Sequence, residues 1–496
     1  MAATPRAISL SLTPTIGNDV AAPLEGLGLL SAPVNNKRKV SVACLSPPAS
    51  SSSRSLSSTS VTSESFAATA TNKEADFIDI PEFLYSKETY VFLGFTEEVA
   101  GIMWQKFLSQ PSESLADDEV DFRHFIEYPR ARLDDYDIED ALTTSDDWDI
   151  CLSQVGVNEK LHDAIMMPTY SDLRSTASCK FWVRESIEDT WASLLQLEEE
   201  LRLESARLQR EAARRKTRKH AGSISEAPSQ DKPHGRKHAG SLSEASAHGD
   251  TYSKKPDDEQ KKEQGKQGIE PATPSKMSAD DSKLETGTLK HDAPARMEGH
   301  TMLWRGGAHR RHKAFYDFST QTAKITALES SPGDFSHRGR SYFSPQHETA
   351  DRYAQWAKHK SDITQVSILQ VALPNKWVES LDAHYLWLGA LPTDEWSQVV
   401  WHSRNGERFP KELRHVYNKD LLIGHIASGI NEKYVAMDKP TMIKDKDVLK
   451  VESEGEDVKS IQWVFQSMKA EDGFETECKG KVWVHMCGCL KTPLKK

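Results

Sequence analysis

The sequence predicts a mixed α+β protein: a mostly helical N-terminal region, a strand-rich C-terminal domain, and long disordered segments around them. Three observations carry that reading. Short apolar runs at Val366 to Leu373, Leu421 to Ala427, Gln462 to Phe465 and Val482 to Val484 accompany one well-patterned helix, Glu348 to His359. Many short strands with a single helix suit a compact α+β domain better than a doubly wound sheet, which alternates the two. Leu194, Leu197, Leu201 and Leu208 stand at a/d spacing, with acids before them and Arg and Lys after, an order that complements the helix dipole. Residues 212–297 contain one aromatic, Tyr252, and cannot bury enough apolar surface to offset the entropy of ordering.

Composition narrows the function classes. The chain has 496 residues, enough for two or three domains, and a net charge of −11. No basic stripe alternates with aromatics, so no nucleic-acid partner is predicted. The six cysteines are irregularly spaced, as expected of free thiols in a reducing compartment. No apolar run reaches the roughly 18 to 20 residues that cross a bilayer, so no membrane partner is predicted. The first 35 residues lack a signal-peptide pattern. The expected location is cytoplasmic or nuclear; Lys37-Arg38-Lys39 is a short import-like cluster of a kind that arises often by chance.

Taken in order, residues 1–73 are Ser/Thr-rich, without helical or strand period, and are expected to be disordered. Residues 74–211 form the acidic, mostly helical region; between Glu74 and Ile150 there are 21 acids against 5 Lys or Arg. Thr96 followed by Glu97, Glu98, Val99, Ile102, Met103 and Phe107 has the cap, first-turn acids and apolar face of a helix, with Phe95 placed to staple it. The run from Asp134 to Asp140 lacks the Gly and terminal Glu of a calcium loop and reads as solvated surface. A helix from Ser186 to about Arg218 closes the region. Its two to three heptads are marginal for a free coiled coil, and docking on a neighbouring domain is preferred. The linker, 212–297, holds a decapeptide present twice, from Arg218 and from Arg236, read as a slipped duplication. Residues 298–470 form the second domain, and 471–496 a terminal strand and tail.

The chemistry-bearing pattern lies in that second domain. Leu303-Trp304-Arg305-Gly306-Gly307 is followed by Gly339-Arg340-Ser341-Tyr342-Phe343-Ser344 and then Tyr353, eleven residues after Tyr342. This resembles the poly(ADP-ribose) polymerase branch of the ADP-ribosyltransferase superfamily, whose members carry Leu-Trp-His-Gly-Ser, Gly-x-Tyr-Phe and a second Tyr at the same interval. Glu348 to Ala357, Asp420 to Ala427 and Gln462-Trp463-Val464-Phe465 resemble uncharacterised bacterial and fungal members. The likeness spans about residues 300–470 through short motifs. It implies an ADP-ribosyltransferase-like split β-sheet, NAD as substrate, and transfer of ADP-ribose to an unidentified acceptor, a protein being one class it allows. By this resemblance the catalytic positions are Arg305, Tyr342 and Gln462, and the cofactor contacts Trp304, Gly306, Ser344 and Tyr353.

Such chemistry has definite requirements. Breaking the nicotinamide–ribose bond develops positive charge on the ribose, so the site must hold the carboxamide by backbone hydrogen bonds, flatten the ring between aromatics and place an anion near the ribose. Gly306 is expected to let the strand approach the carboxamide, and Tyr342 and Tyr353 to stack on the ring. Arg305 replaces the polymerase His and suits a pyrophosphate. Gln462 replaces a Glu, and loss of one such stabiliser costs about 10²- to 10³-fold in rate. Glu395, in Asp394-Glu395-Trp396, is a carboxylate that could be supplied from elsewhere, and nothing in the sequence places it near the pocket. The alternative function is a catalytically inactive NAD- or ADP-ribose-binding or protein-interaction module on the same fold. Cys478, His485, Cys487 and Cys489 have the atoms for zinc but not the usual spacing, and no metal is predicted.

Overall fold

The structure, a computed structural model, describes residues 13–45, 77–109, 125–135, 148–223, 293–330, 333–336, 338–389, 391–429 and 431–487. Residues 1–209 and 287–496 make one compact unit. Residues 210–286 make another, whose described part, 210–223, is helical.

Part of the segment expected to be disordered is ordered. Residues 13–45 contain a helix, Asn18–Gly26, and strand β1, Lys37–Ser41, which pairs antiparallel with β2, Phe77–Pro81. Ile16, Val20, Leu24, Leu30 and Val40 are buried there. Their spacing shows no single period because a helix, a turn and a strand share them. Arg38, the centre of the import-like cluster, is 6% exposed and paired with Glu25 and Glu82. The Ser-rich run beyond Leu45 lies outside the described residues.

The helical region follows its local signals. Thr96 caps the helix Glu97–Leu108 by accepting from the Val99 amide at 3.3 Å, and Val99, Met103 and Phe107 are buried. Phe95 is fully buried, with its backbone bridged to Val157. Asp134, at the start of the acidic run, pairs with Lys180 and Arg184, while residues 136–147 lie outside the described set. The long helix spans Cys179–Ser223, longer at both ends than its heptads predict and running into the expected linker. Leu194, Leu197 and Leu201 are at most 1% exposed in the N-terminal core, so this seam is docked intramolecularly.

The C-terminal strands are β3 (His300–Ala308), the hairpin β4 (Tyr316–Asp317) and β5 (Thr322–Ala323), β6 (Ser341–Phe343), β7 (Val366–Pro374), β8 (Ala383–Trp387), β9 (Leu421–His425), the hairpin β10 (Lys450–Ser453) and β11 (Glu456–Lys459), β12 (Ile461–Phe465) and β13 (Val482–Met486). Four of them form a sheet in the order β6-β12-β9-β8, with only β8 and β9 parallel. Three more form an antiparallel sheet, β13-β7-β3. The sheets meet at one point, where Trp304 and Ser344 exchange backbone hydrogen bonds of 2.7 and 2.8 Å. β7 is buried at every position but its last, which is why it reads as an unbroken apolar run.

The expected boundary at residue 470 is corrected. A helix, Met468–Glu477, capped by Ser467 on the Ala470 amide at 3.1 Å, crosses it, and Phe474 and Cys478 share a core with Leu303 and Phe465. β13, expected as a terminal strand, pairs with β7 in the three-stranded sheet. A second helix without a sequence forecast, Asp394–Arg404, buries Trp396, Val399 and Val400 together with Ser397 and Ser403, and those serines blur its apolar stripe. No helix among the described residues is long and apolar enough to cross a membrane.

The N-terminal helices pack on the C-terminal domain through a set of paired charges. Lys360 reaches Glu185 at 2.7 Å, Arg310 reaches Asp189 at 2.7 Å and Arg352 reaches Asp172 at 2.7 Å. The Gly429 amide donates to the Ser175 carbonyl at 3.0 Å.

Candidate functional site

A cavity lies at the point where the two sheets part. It opens on one side and has a volume of about 150 Å³, the size that holds a single six-membered ring. β3 contributes Trp304, Arg305 and Gly306, the end of β6 contributes Tyr342 and Ser344, and β12 contributes Gln462. Tyr353 enters from the helix His347–Lys360. All seven residues singled out by the sequence therefore line one space. A wall that the sequence did not suggest comes from the N-terminal region, through Thr176, Phe181, Trp182 and Glu185.

The strand edge at this cavity is left open by the geometry of the ladder. In an antiparallel pair, successive residues direct their N–H and C=O groups to alternate sides. Trp304 spends its pair on Ser344, so Gly306, two residues on, points the same way, away from β7. β6 makes no further bridge to β3, and the Gly306 amide and carbonyl have no partner among the described residues. The reason for a glycine here differs from the expected one. A Cβ at Gly306 would stand 1.7 Å from the Ala350 carbonyl oxygen. The missing side chain lets the helix His347–Lys360 lie against β3; the free backbone edge is a consequence of the split sheet.

The charged and aromatic groups are set by burial. Arg305 donates from Nη1 to the Tyr342 carbonyl at 2.9 Å and makes no ion pair among the described residues. Burial, reinforced by the nearby Arg311, pushes its guanidinium down to about 10, so it stays charged at neutral pH. The Tyr353 hydroxyl donates to the Thr176 hydroxyl oxygen of the N-terminal wall at 3.1 Å, and burial pushes its phenol up to about 12. Burial likewise raises Tyr342, whose hydroxyl lies against Gly333. Both phenols remain neutral. Glu185 is subject to the opposite tendencies: burial raises its carboxyl, but Lys360 and Arg311 outweigh burial and hold it below the usual carboxylate range.

Gln462 is 5% exposed and donates from Nε2 to Asp334 Oδ2 at 2.7 Å and to the His425 carbonyl at 3.3 Å. That commitment leaves Oε1 as the acceptor of the amide. Asp334, which also lines the cavity, is bound by Arg404 at 2.7 Å and by the Ala427 amide at 2.7 Å. A carboxylate is thus present beside the Gln, yet its charge is matched by a buried guanidinium. Nothing in the sequence marks it, since Asp334 sits between Gly333 and Phe335, outside every motif that carries the resemblance.

Glu395 lies elsewhere: it is hydrogen-bonded to His384 and His415 and does not line the cavity. The described members of the Cys/His run form no cluster of ligand atoms. Cys478 is buried in the core, His485 bonds Gln370 at 2.7 Å, Cys487 is half-buried, and Cys489 lies outside the described residues.

Fold and site together define a mixed α and β protein with a partly open, partly polar ring-sized cavity between two sheets. No protein-family model, curated protein or solved structure matches the chain.

Proposed function

We propose that the cavity receives the nicotinamide end of NAD, and that the chain is an ADP-ribosyltransferase-like protein with slow turnover. The observation that carries this reading is the open Gly306 edge in a ring-sized cavity flanked by Tyr342, Tyr353 and Gln462. A carboxamide offers one acceptor and two donors, so an adjacent strand N–H and C=O can hold it at two points. The tyrosine rings supply apolar faces for the pyridine. Arg305, half-buried and without an ion pair among the described residues, suits the pyrophosphate.

In the reaction, the bond from the ribose C1′ to the nicotinamide nitrogen breaks and its electron pair leaves with neutral nicotinamide. A nucleophile bonds to C1′ and releases its proton to water. Gln462 Oε1 is suited to accept from a ribose hydroxyl, but the two carboxylates that line the cavity among the described residues are each matched by a cation, Asp334 by Arg404 and Glu185 by Lys360. Turnover is accordingly expected to fall about 10²- to 10³-fold below that of a site with a carboxylate.

The test incubates the full chain with NAD labelled in nicotinamide and measures both equilibrium binding and nicotinamide release. Saturable binding that is lost in Tyr342→Ala and Tyr353→Ala supports the reading, and slow release that disappears in the same variants supports transfer. Binding without release would favour the inactive-module alternative, which the Asp334–Arg404 pairing already recommends. Absence of NAD, nicotinamide and ADP-ribose binding would overturn the proposal.

A further inference from the structure

We propose that His384, Glu395 and His415 form a binding site for a mid-row divalent cation, Zn²⁺ in the first place, at the outer edge of the four-stranded sheet. The site is separate from the cavity and independent of the NAD reading. His384 comes from β8, the edge strand, Glu395 from the first turn of the helix Asp394–Arg404, and His415 from the turn Arg414–Tyr417.

The three side chains converge. His384 Nε2 lies 2.8 Å from one Glu395 oxygen and His415 Nε2 lies 2.7 Å from the other. The imidazole rings stand at 88° to each other with centroids 5.5 Å apart, and all three ligand atoms fall within 4.8 Å of one another. Tetrahedral bonds of about 2.0 Å place ligand atoms roughly 3.3 Å apart, so a small outward movement of these half-exposed side chains completes the geometry.

A second observation fixes the direction of a lone pair. His415 Nδ1 lies 2.8 Å from the Glu412 carbonyl, which can only accept, so Nδ1 carries the hydrogen of that bond. In the neutral ring Nε2 is then an acceptor, and it faces an oxygen of Glu395, also an acceptor. A cation between the two satisfies both. A ring nitrogen oriented through its other nitrogen by a carbonyl is the usual support of a metal-bound imidazole.

The donor set decides the class of ion. Two imidazoles and one carboxylate suit Zn²⁺, Co²⁺ or Ni²⁺, whereas Mg²⁺ and Ca²⁺ prefer oxygen-only shells. Three protein ligands leave a fourth position for water on the exposed side. A cation here ties the edge strand, the following helix and the 411–417 turn together, across chain separations of 11 and 20 residues.

The test uses the full chain, stripped with EDTA and titrated with Zn²⁺ alone against a chromophoric chelator. One equivalent is expected to bind at this site, weakened at least about 10-fold in His384→Ala, Glu395→Gln and His415→Ala. The Cys487→Ser, Cys489→Ser chain should bind as before. Co²⁺ in place of Zn²⁺ should give visible ligand-field bands without the near-ultraviolet charge transfer of a thiolate. Circular dichroism of His415→Ala, altered at the most exposed of the three, guards against unfolding as the cause. No uptake of Zn²⁺, or uptake unchanged by all three substitutions, would overturn the proposal and leave an ion-paired turn only. So would a thiolate spectrum.

Discussion

Gln462 and Asp334 are joined through a 2.7 Å hydrogen bond in which the amide donates and the carboxylate accepts, both side chains being at most 5% exposed. The relationship explains why an amide, and not an acid, is compatible with this position. Asp334 already carries the negative charge there, and Arg404 matches it.

Replacing Gln462 by Glu would therefore set two buried carboxylates in contact. One of them must hold a proton, so its folded pKa rises above the unfolded value of about 4.3. A raised acid loses stability as pH climbs from the unfolded value through the folded one. Gln462→Glu is expected to unfold at lower temperature than the parent, with a larger gap at pH 8 than at pH 5. Equal melting temperatures at both pH values would contradict this account.

Removing Arg404 tests the other half of the same network. Arg404→Leu leaves Asp334 buried with an unmatched charge, and breaking such a pair costs about 3–5 kcal/mol. Denaturant unfolding of the variant measures it directly. A loss under about 1 kcal/mol would mean the pair is wetter than its 2% and 3% side-chain exposures indicate.

Gly306→Ala drives a methyl group into the main chain of the helix His347–Lys360, at the Ala350 carbonyl. Neither partner is a movable side-chain end, so the helix must shift, at a cost of about 1–3 kcal/mol or more. Tyr353 rides on that helix, so ligand affinity should fall together with stability. An alanine variant of parental stability would show that the helix packs less closely than its geometry requires.

The junction of N-terminal helices and C-terminal domain has a defined acid response. Glu185 is held below the usual carboxylate range because Lys360 and Arg311 outweigh burial. Its contribution is present above the unfolded pKa of about 4.3 and is lost as pH falls through the lower folded value. Glu185→Gln should be destabilised near pH 7, and the difference should shrink as the pH is lowered below about 4. Unfolding curves of parent and variant across that range provide the check.

Glu200 behaves in the opposite sense. Burial pushes its carboxyl up to about 7, with Lys313 only partly countering, and it accepts from Gln365 at 2.9 Å. The ionised form is disfavoured in the folded state, so stability falls as pH rises from the unfolded value of about 4.3 through 7. Glu200→Gln keeps an acceptor for Gln365 and should be more stable than the parent at pH 8, with a much smaller difference at pH 4. Thermal unfolding at the two pH values decides it.

Local chemistry made much of the fold legible. The Thr96 cap, the apolar runs of β7, β9, β12 and β13, and the leucine seam of the long helix each depend on residues a few positions apart, and the structure has elements at all of them. The seven cavity residues were also legible, because each sits on or beside a short motif. The ordered segment 13–45 was not, since Arg38 is satisfied only when Glu82, 44 residues away, reaches it. Nor was the helix Asp394–Arg404, whose buried serines break its stripe.

The sequence by itself determined which residues can form strands and helices, and it singled out Arg305, Tyr342, Tyr353 and Gln462, which the fold then brings to one cavity. Periodicity and capping are properties of neighbours along the chain, and a sequence records neighbours directly. Tertiary structure alone decided that Asp334 stands behind Gln462, that Gly306 is small for the sake of a helix, that Thr176 and Glu185 wall the cavity, and that His384, Glu395 and His415 meet. Each of these depends on where separate elements come to rest, and burial and charge pairing settle that only once the chain has folded.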